Sequence, residues 1–261
     1  MPALLEVTLG TTAPRPRGLL GVPLHGLVFA ALEHLNPGLS AHLHAAEVKP
    51  FRVGAAQWQD VEGGAVVRFL LGALADDLTD VLLEAFTPGG THGDENATLW
   101  GEVLDVEVLA RETYAALYAR HAGGTSGRTI HLRFVTPTTF QATGLDMPFP
   151  VPKTVFYGLQ RRWEAFSDLR FGEDLNGWVG RAVRVQDFQL RPRSVYFKGV
   201  REAALSACVG EVQFTLARPG DIEPAFVRLL ADYANFAGVG YKTTYGLGHV
   251  EAWGWREHAR E

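Results

Sequence analysis

The sequence contains a single cysteine, Cys208, among its 261 residues. One cysteine cannot form an internal disulfide framework or a zinc site that needs several thiolates. The chain also lacks a run of about 20 apolar residues, so we expect no segment that spans a bilayer. The N-terminus lacks a basic segment followed by an apolar stretch, and we therefore expect no signal peptide. Together these absences predict a cytoplasmic protein with no membrane partner.

Several common catalytic motifs are also missing. There is no His-x-Thr or His-x-Ser motif, which argues against the phosphoesterases that use two of them, and no Gly-x-Ser-x-Gly nucleophile elbow. No close cluster of acidic residues indicates a two-metal nuclease, although acids distant in the sequence could converge. His42 and His44 are too few for a metal site without further ligands nearby. We therefore expect no metal and no cofactor.

The net charge of −5 conceals opposite charges in different parts of the chain. Residues 76–112 contain ten acidic residues and one basic residue, whereas residues 120–201 contain thirteen basic and six acidic residues. Six basic residues and one acidic residue, Asp187, lie within 181–201: Arg181, Arg184, Arg191, Arg193, Lys198 and Arg201. A concentrated basic surface can bind a nucleic acid through counterion release even when the whole chain is acidic. Scattered arginines more often mean a solvated sheet face, but their clustering in one predicted hairpin, with strand segments at 181–190 and 194–198, favours RNA.

Hydrophobic periodicity predicts the same order of elements twice: strand, helix, strand, strand, helix, strand. The four main helices are expected at Pro23–Leu35, Asp76–Phe86, Pro152–Phe166 and Pro224–Phe236. This order is the ferredoxin-like plan. The chain is therefore expected to be an α+β protein with two tandem ferredoxin-like (RRM-like) domains, each built on an antiparallel sheet.

A short polar segment, 123–127, contains three glycines, a threonine and a serine. Such a composition is typical of a flexible joint between domains. We therefore predict an N-terminal domain at 1–112 and a C-terminal domain at 126–261, with a cleft between them that could bind a strand.

A glycine-rich loop near the C-terminus is the most distinctive stretch of the chain. Its four glycines form two Gly-x-Gly pairs, Gly238 with Gly240 and Gly246 with Gly248. They enclose a cation, two hydroxyls and two aromatic rings, which suit a sugar-phosphate strand: Tyr241, Lys242, Thr243, Thr244 and Tyr245. The expected order of helix, loop and strand is the reverse of a nucleotide P-loop. The alternative is a glycine-rich turn that only reverses the chain.

His44 and Lys49, five residues apart at a predicted helix-to-strand junction, are the best catalytic candidates. An imidazole can give or take a proton near neutral pH, and an ammonium can stabilise the charge that develops on a phosphorane. RNA carries its own nucleophile, the 2′-OH, so such a site needs no metal. Spacing alone still favours a structural or surface role for His44, because it does not prove that two side chains approach each other.

Three segments of the chain resemble the CRISPR-associated endoribonucleases that process repeat RNA, the Cas-six family within the RAMP superfamily. The first runs from His25 to Phe51 and includes Asn36-Pro37, Leu43-His44 and Lys49-Pro50-Phe51. The second comprises Arg133-Phe-Val-Thr-Pro-Thr-Thr-Phe140, the segment 148–152 and the helix through Trp163. The third is the glycine-rich loop. Together the three span most of the sequence and occur in the family's order.

The resemblance implies tandem ferredoxin-like folds and metal-independent cleavage of precursor CRISPR RNA within each repeat. The 2′-OH would attack the adjacent phosphate and leave a 2′,3′-cyclic phosphate and a 5′-OH. The family's histidine and lysine fall on His44 and Lys49. A tyrosine that many members carry on the first helix is replaced by Phe29, which cannot exchange a proton. His42 and Tyr157 are the alternative proton-transfer residues.

The expected RNA contacts lie in the basic segment and in the glycine-rich loop. Arg191, Arg193 and Lys198 would grip the repeat backbone, and bases could stack on Tyr241 or Tyr245. Two other functions stay open. One is a non-catalytic RNA-binding subunit of a CRISPR effector complex, and the other is a small-molecule or nucleotide-binding protein. The expected partners are CRISPR repeat RNA and other effector subunits, and a homodimer is left open.

Overall fold

The computed structural model describes residues 1–93, 97–122, 127–142, 144–171, 174–197, 204–217 and 223–254. The chain divides into two compact units. The first consists of Met1–Arg111, Tyr196–Ala204 and Lys242–Leu247, and the second consists of Glu112–Val195, Leu205–Tyr241 and Gly248–Glu261. The chain therefore returns twice to the first unit after residue 111. The domain limits 1–112 and 126–261 stay a prediction.

The first unit contains a five-stranded antiparallel sheet with the strand order β2-β3-β1-β5-β4. Its strands are β1 (Ala3–Thr11), β2 (Phe51–Val61), β3 (Gly64–Ala73), β4 (Thr91–His92) and β5 (Gly101–Arg111). Its helices are α1 (Gly21–Leu35), α2 (Pro37–Ala45) and α3 (Leu78–Ala85). Without the two-residue strand β4, the order of strands is that of a ferredoxin-like fold.

The core of the first unit follows directly from the periodicity of β1 and α1. Alternate residues of β1 are buried, among them Leu5 and Val7. The apolar stripe of α1, with Leu24 and Leu32, belongs to the same buried cluster. Because a strand buries every second residue and a helix buries every third or fourth, the two patterns place one face of α1 in the core.

The second unit contains a four-stranded antiparallel sheet with the order β11-β6-β10-β9 and a small hairpin of β7 and β8. Its strands are β6 (Thr129–Thr138), β7 (Phe140–Ala142), β8 (Leu145–Met147), β9 (Val183–Val195), β10 (Leu205–Leu216) and β11 (Val250–Trp253). Its helices are α4 (Tyr114–Ala122), α5 (Pro152–Phe166), α6 (Leu175–Ala182) and α7 (Glu223–Ala237). The second ferredoxin-like plan is thus present, and the predicted fold class is confirmed.

The basic segment differs from the sequence prediction. Two strand segments, 181–190 and 194–198, were expected, but the described part forms a single strand, β9, that pairs continuously with β10 through Arg191, Pro192 and Arg193. Pro192 lacks a backbone N–H donor. Since β9 lies at the edge of the sheet, Pro192 needs no partner on its open side, and the strand continues.

Helices α4 and α6 were not predicted from the sequence. Helix α4 carries its own start signal, because the hydroxyl of Thr113 accepts a hydrogen bond from the backbone N–H of Ala116 at 2.9 Å. Leu117 and His121, four residues apart, are buried on one face of this helix. Among the helices of the described residues, none combines the length and the apolar character needed to cross a membrane.

Candidate active site

Helix α1 presents His25 and Phe29 on one face, because residues four apart lie one above the other on a helix. Phe29 is buried, and its ring contacts the edge of Phe51 on β2 with 5.5 Å between ring centroids. His25 is half-buried and meets Phe29 at 4.9 Å in an edge-on arrangement. Phe29 therefore provides a hydrophobic surface beside the imidazole of His25.

Helix α2 places His44 against the same Phe29 ring. The helix starts where the side chain of Asn36 accepts a hydrogen bond from the N–H of Leu39 at 3.0 Å, with Pro37 in the first turn. His44 lies in the last turn and is exposed, and its ring stacks on Phe29 with centroids 3.6 Å apart and planes 23° apart. The structure therefore places the imidazole on a fixed support while solvent reaches it.

Lys49 lies beyond the C-terminal end of helix α2 and brings a positive charge to that end. Its Nζ donates hydrogen bonds to the backbone oxygens of His44 at 2.6 Å and Ala46 at 2.7 Å. The last carbonyls of a helix otherwise lack partners, and a cation is favourable at this end of the helix dipole. Partial burial lowers the pKa of the Lys49 ammonium. Two of its three N–H donors are used in these bonds, which leaves one for a ligand.

The glycine-rich loop reaches the start of α1 through Gly21 and Gly246. A Cβ on Gly21 would lie 2.2 Å from the carbonyl oxygen of Tyr245, and a Cβ on Gly246 would lie 2.7 Å from the Cα of Gly21. Gly246 also has a φ of +81°, which side-chain-bearing residues rarely adopt. Glycine is thus required on both sides of this contact. The close approach brings the ring of Tyr245 onto that of His25, with centroids 3.9 Å apart and planes 20° apart.

Five rings are connected in this way, and we call them the aromatic–histidine cluster: His25, Phe29, His44, Phe51 and Tyr245. All five belong to the first unit. A sixth ring, Phe197, meets Tyr245 edge-on at 6.0 Å. The cluster joins the loop that the sequence singled out to the predicted catalytic histidine.

His25 was not among the predicted catalytic residues. Its Nδ1 lies 3.1 Å from the carbonyl oxygen of Thr244, a residue 219 positions away. Burial is the main cause that lowers the pKa of His25 to about 4, and the nearby charges of His44, Lys242 and Lys49 lower it further, although the Thr244 carbonyl opposes them. Only the pair His25 and Phe29, four apart on one helix, could have indicated that His25 lies beside the site.

The loop residues within the first unit are mostly packed. Thr243 and Thr244 are buried in a 3₁₀ turn, Thr243–Tyr245. Lys242 adopts a left-handed backbone with φ of 59°, and its Nζ lies 4.8 Å from the centre of the Tyr245 ring, within cation–π range. Lys242 as a residue is partly exposed, whereas Thr243 is buried.

The remaining loop residues belong to the second unit and form a structural turn there. Arg162 donates hydrogen bonds to the carbonyl oxygens of Gly238 at 3.0 Å and Gly240 at 2.7 Å. The N–H of Tyr241 donates to Thr139 at 2.8 Å. Val239 likewise donates to the carbonyl of Gly248 at 2.9 Å. This part of the loop therefore has its backbone groups engaged by the protein itself.

The predicted RNA-binding arginines lie on β9 in the second unit. Arg191 and Arg193, two residues apart on a strand, lie on the same face and are exposed. They border an open groove of about 380 Å³ along β9 and β10, which Val209 and Glu211 also line. Lys198 lies outside the described residues.

The alternative catalytic candidates lie elsewhere. His42 is exposed on α2, two residues from His44, and two residues on a helix turn the side chain by about 200°. Tyr157 is 51% exposed on α5 and belongs to the second unit. Neither ring is part of the aromatic–histidine cluster. Within the described ranges, no group of three or more histidine, cysteine, aspartate or glutamate side chains could hold a metal ion.

The chain is similar to a known family of proteins. Residues 132–250 match the model of the family described as CRISPR-associated endoribonuclease Cas6. A CRISPR-associated endoribonuclease Cas6 from Mycobacterium tuberculosis is 30% identical over 261 aligned residues, which cover 94% of this chain and 76% of the relative.

Solved structures of similar proteins share the fold. Thermus thermophilus Cas6 (TTHB231), solved as a product complex, is 24% identical with a TM-score of 0.75, and the match covers 97% of this chain and 100% of the other. Cas6 (TTHA0078), solved as a substrate mimic complex, is 25% identical with a TM-score of 0.69, and the match covers 97% of this chain and 99% of the other.

Proposed function

The chain belongs to the CRISPR-associated endoribonuclease Cas6 family, and we propose that it cleaves CRISPR repeat RNA without a metal. The 2′-OH of the nucleotide before the cleavage site attacks the adjacent phosphate. The O2′–P bond forms and the P–O5′ bond breaks, which leaves a 2′,3′-cyclic phosphate on one product and a 5′-OH on the other. The precursor transcript is thereby divided into guide units.

One observation carries the proposal: the exposed imidazole of His44 is stacked on Phe29, and the Lys49 ammonium is bonded to the backbone carbonyl of the same histidine. A support of this kind keeps the ring in place without blocking its nitrogens. His44 then transfers a proton in the reaction, and Lys49 stabilises the negative charge that develops on the phosphorane. Phe29 has no proton to exchange, so it acts as the support.

RNA as the substrate is supported by two features of different kinds. The similar Cas6 proteins were solved as a product complex and as a substrate mimic complex. On this chain, the exposed Arg191 and Arg193 offer cations for phosphates, and Lys242 offers another in the first unit. Tyr241 and Tyr245 are both partly exposed, but Tyr245 already has one face covered by His25, which leaves less of its ring for a base.

The experiment is cleavage of repeat RNA from the host in EDTA, with a matched RNA that carries a single 2′-deoxy substitution at the cleavage site. We expect cleavage of the all-ribose RNA in EDTA, and tight binding without cleavage of the substituted RNA. Dependence of the all-ribose reaction on magnesium would exclude the metal-free reaction. Binding of both RNAs without cleavage of either would instead indicate a non-catalytic RNA-binding subunit, which the replacement of the family's tyrosine by Phe29 would then explain.

A further inference from the structure

His25 is held in one orientation by rings on three sides. Tyr245 stacks on it at 3.9 Å, the edge of Phe29 meets it at 4.9 Å, and Phe51 lies at 6.2 Å in a stacked arrangement. These rings come from the glycine-rich loop, α1 and β2. Because these rings already hold the imidazole in place, binding of a ligand does not have to order it.

The hydrogen bond to the loop fixes which nitrogen carries the proton. A carbonyl oxygen can only accept, so the Nδ1 of His25 donates to Thr244 at 3.1 Å. The other nitrogen, Nε2, then has a free lone pair. Within the described part of the chain, Nε2 has no hydrogen-bond partner, and it is not fully buried. His25 therefore offers an accessible proton acceptor.

The surroundings of His25 keep it neutral. Burial lowers its pKa to about 4, and the charged or titratable groups that face it, His44, Lys49 and Lys242, disfavour a second positive charge. A ring that stays unprotonated at neutral pH can accept a proton but has none to give from Nε2. The two histidines around Phe29 thus differ in environment, since His44 is exposed and His25 is half-buried.

We propose that His25 is a catalytic residue that removes the proton from the 2′-OH through Nε2, with Thr244 and Tyr245 as positioning residues. The inference rests on the proposed function. The proton of the 2′-OH passes to His25 as the O2′–P bond forms, and His44 gives a proton to O5′ as the P–O5′ bond breaks. Exchange with water afterwards removes the proton from His25 and restores the one on His44.

A substrate with sulfur in place of the bridging 5′ oxygen separates the two roles. A thiolate leaves without protonation, so such an RNA needs a base but no acid. We compare the wild type, His25→Ala, His44→Ala and the control His34→Ala, whose side chain is exposed in the last turn of α1. Single-turnover cleavage of the ordinary and the sulfur-substituted RNA is the measurement.

We expect His25→Ala to slow cleavage of both RNAs by roughly 100- to 10,000-fold. His44→Ala is expected to slow cleavage of the ordinary RNA by a similar factor and to regain most of the wild-type rate on the sulfur-substituted RNA. His34→Ala is expected to behave as the wild type. Recovery of His25→Ala by the sulfur would overturn the inference, and so would a rate for this variant within about threefold of wild type.

A structural role of His25 is tested by His25→Asn. The asparagine amide keeps a donor near the position of Nδ1 for the Thr244 carbonyl, but it has no basic nitrogen. We expect this variant to bind 2′-deoxy repeat RNA like the wild type and still to cleave ordinary RNA slowly. Full cleavage by His25→Asn would show that only the bond to Thr244 matters and would overturn the catalytic role. If the wild type cleaves neither RNA, the proposed function fails instead.

Discussion

The aromatic–histidine cluster and the arginines of β9 are built in opposite ways. In the cluster, ring centroids lie as close as 3.6 and 3.9 Å, and a backbone carbonyl fixes the tautomer of one imidazole. On β9, Arg191 and Arg193 extend from an edge strand and are exposed. The aromatic–histidine cluster is ordered before any ligand binds, whereas the arginines of β9 carry their charges at the ends of flexible side chains.

The difference corresponds to what each task requires. Proton transfer demands that atoms be placed to within a fraction of an ångström, so a catalytic ring benefits from packed neighbours. Attraction to phosphates acts over longer distances and tolerates variation in geometry, so exposed cations suffice. The comparison predicts that changes in the cluster alter the rate of cleavage, whereas changes on β9 alter affinity and its dependence on salt.

The largest expected effect follows from His44→Ala. Loss of proton transfer should slow cleavage by roughly 100- to 10,000-fold. The affinity for 2′-deoxy repeat RNA should stay unchanged, because the His44 ring contributes to the reaction and not to RNA binding. Single-turnover rates and equilibrium binding are measured on the same preparation. If affinity falls as much as the rate, the division between the two regions does not hold.

The next effect is expected from Gly246→Ala in the glycine-rich loop. Its φ of +81° and the Cα of Gly21 only 2.7 Å from the new Cβ should together lower the free energy of unfolding by roughly 1–3 kcal/mol and displace Tyr245 from His25. The matched control is Gly18→Ala, where φ is +94° but no atom lies within 4 Å. Chemical denaturation should show a smaller loss for the control. Equal losses would mean that the close approach to α1 contributes nothing.

Much of the fold could be predicted because local patterns determine it. The period of two in β1 and the apolar stripe of α1 are visible in the sequence, and each appears in the observed core. The continuity of β9 was missed, since it depends on the position of the strand at the sheet edge, which no local pattern around Pro192 reveals.

The candidate site could be predicted only in part. His44 and Lys49 are near in sequence and near in space, so their spacing was informative. His25 depends on Thr244 and Tyr245, more than 200 residues away, and on glycines that permit a backbone contact. The glycines can be seen in a single sequence, but the backbone segment against which they pack cannot.

A smaller effect is expected from the double variant Arg191→Ala with Arg193→Ala. Each lost phosphate contact should reduce the slope of log affinity against log salt by about 0.7 to 0.9, and the affinity itself by up to about tenfold for the pair. The rate of cleavage at saturating enzyme should stay the same. Arg111→Ala, on the acidic strand β5, is the control and should not change the slope. An unchanged slope in the double variant would place the RNA elsewhere.

The smallest effect concerns stability in acid. The pKa of His25 in the folded chain, about 4, lies below its ordinary value of 6.5, so protons bind the unfolded chain more readily. The stability that the neutral ring contributes is therefore complete above pH 6.5 and is lost as the pH falls from 6.5 towards 4.

Between pH 7 and pH 5, we expect His25→Asn to lose less stability than the wild type by on the order of 1 kcal/mol, a value reduced for the partial exposure of the ring. His92, whose pKa is also lowered by burial, is present in both chains and cancels in the difference. Urea denaturation of both chains at the two pH values measures this difference in the free energy of unfolding. A parallel loss in both chains would mean that His25 is not held in its neutral form.

The most direct test of the central claim is end-group analysis of the products from the host's own repeat transcript, cleaved in EDTA. The account predicts a single cleavage site in each repeat, with a 2′,3′-cyclic phosphate upstream and a 5′-OH downstream. Products with a 3′-OH and a 5′-phosphate would mean that water or a metal-bound hydroxide attacks the phosphate, and would contradict the account.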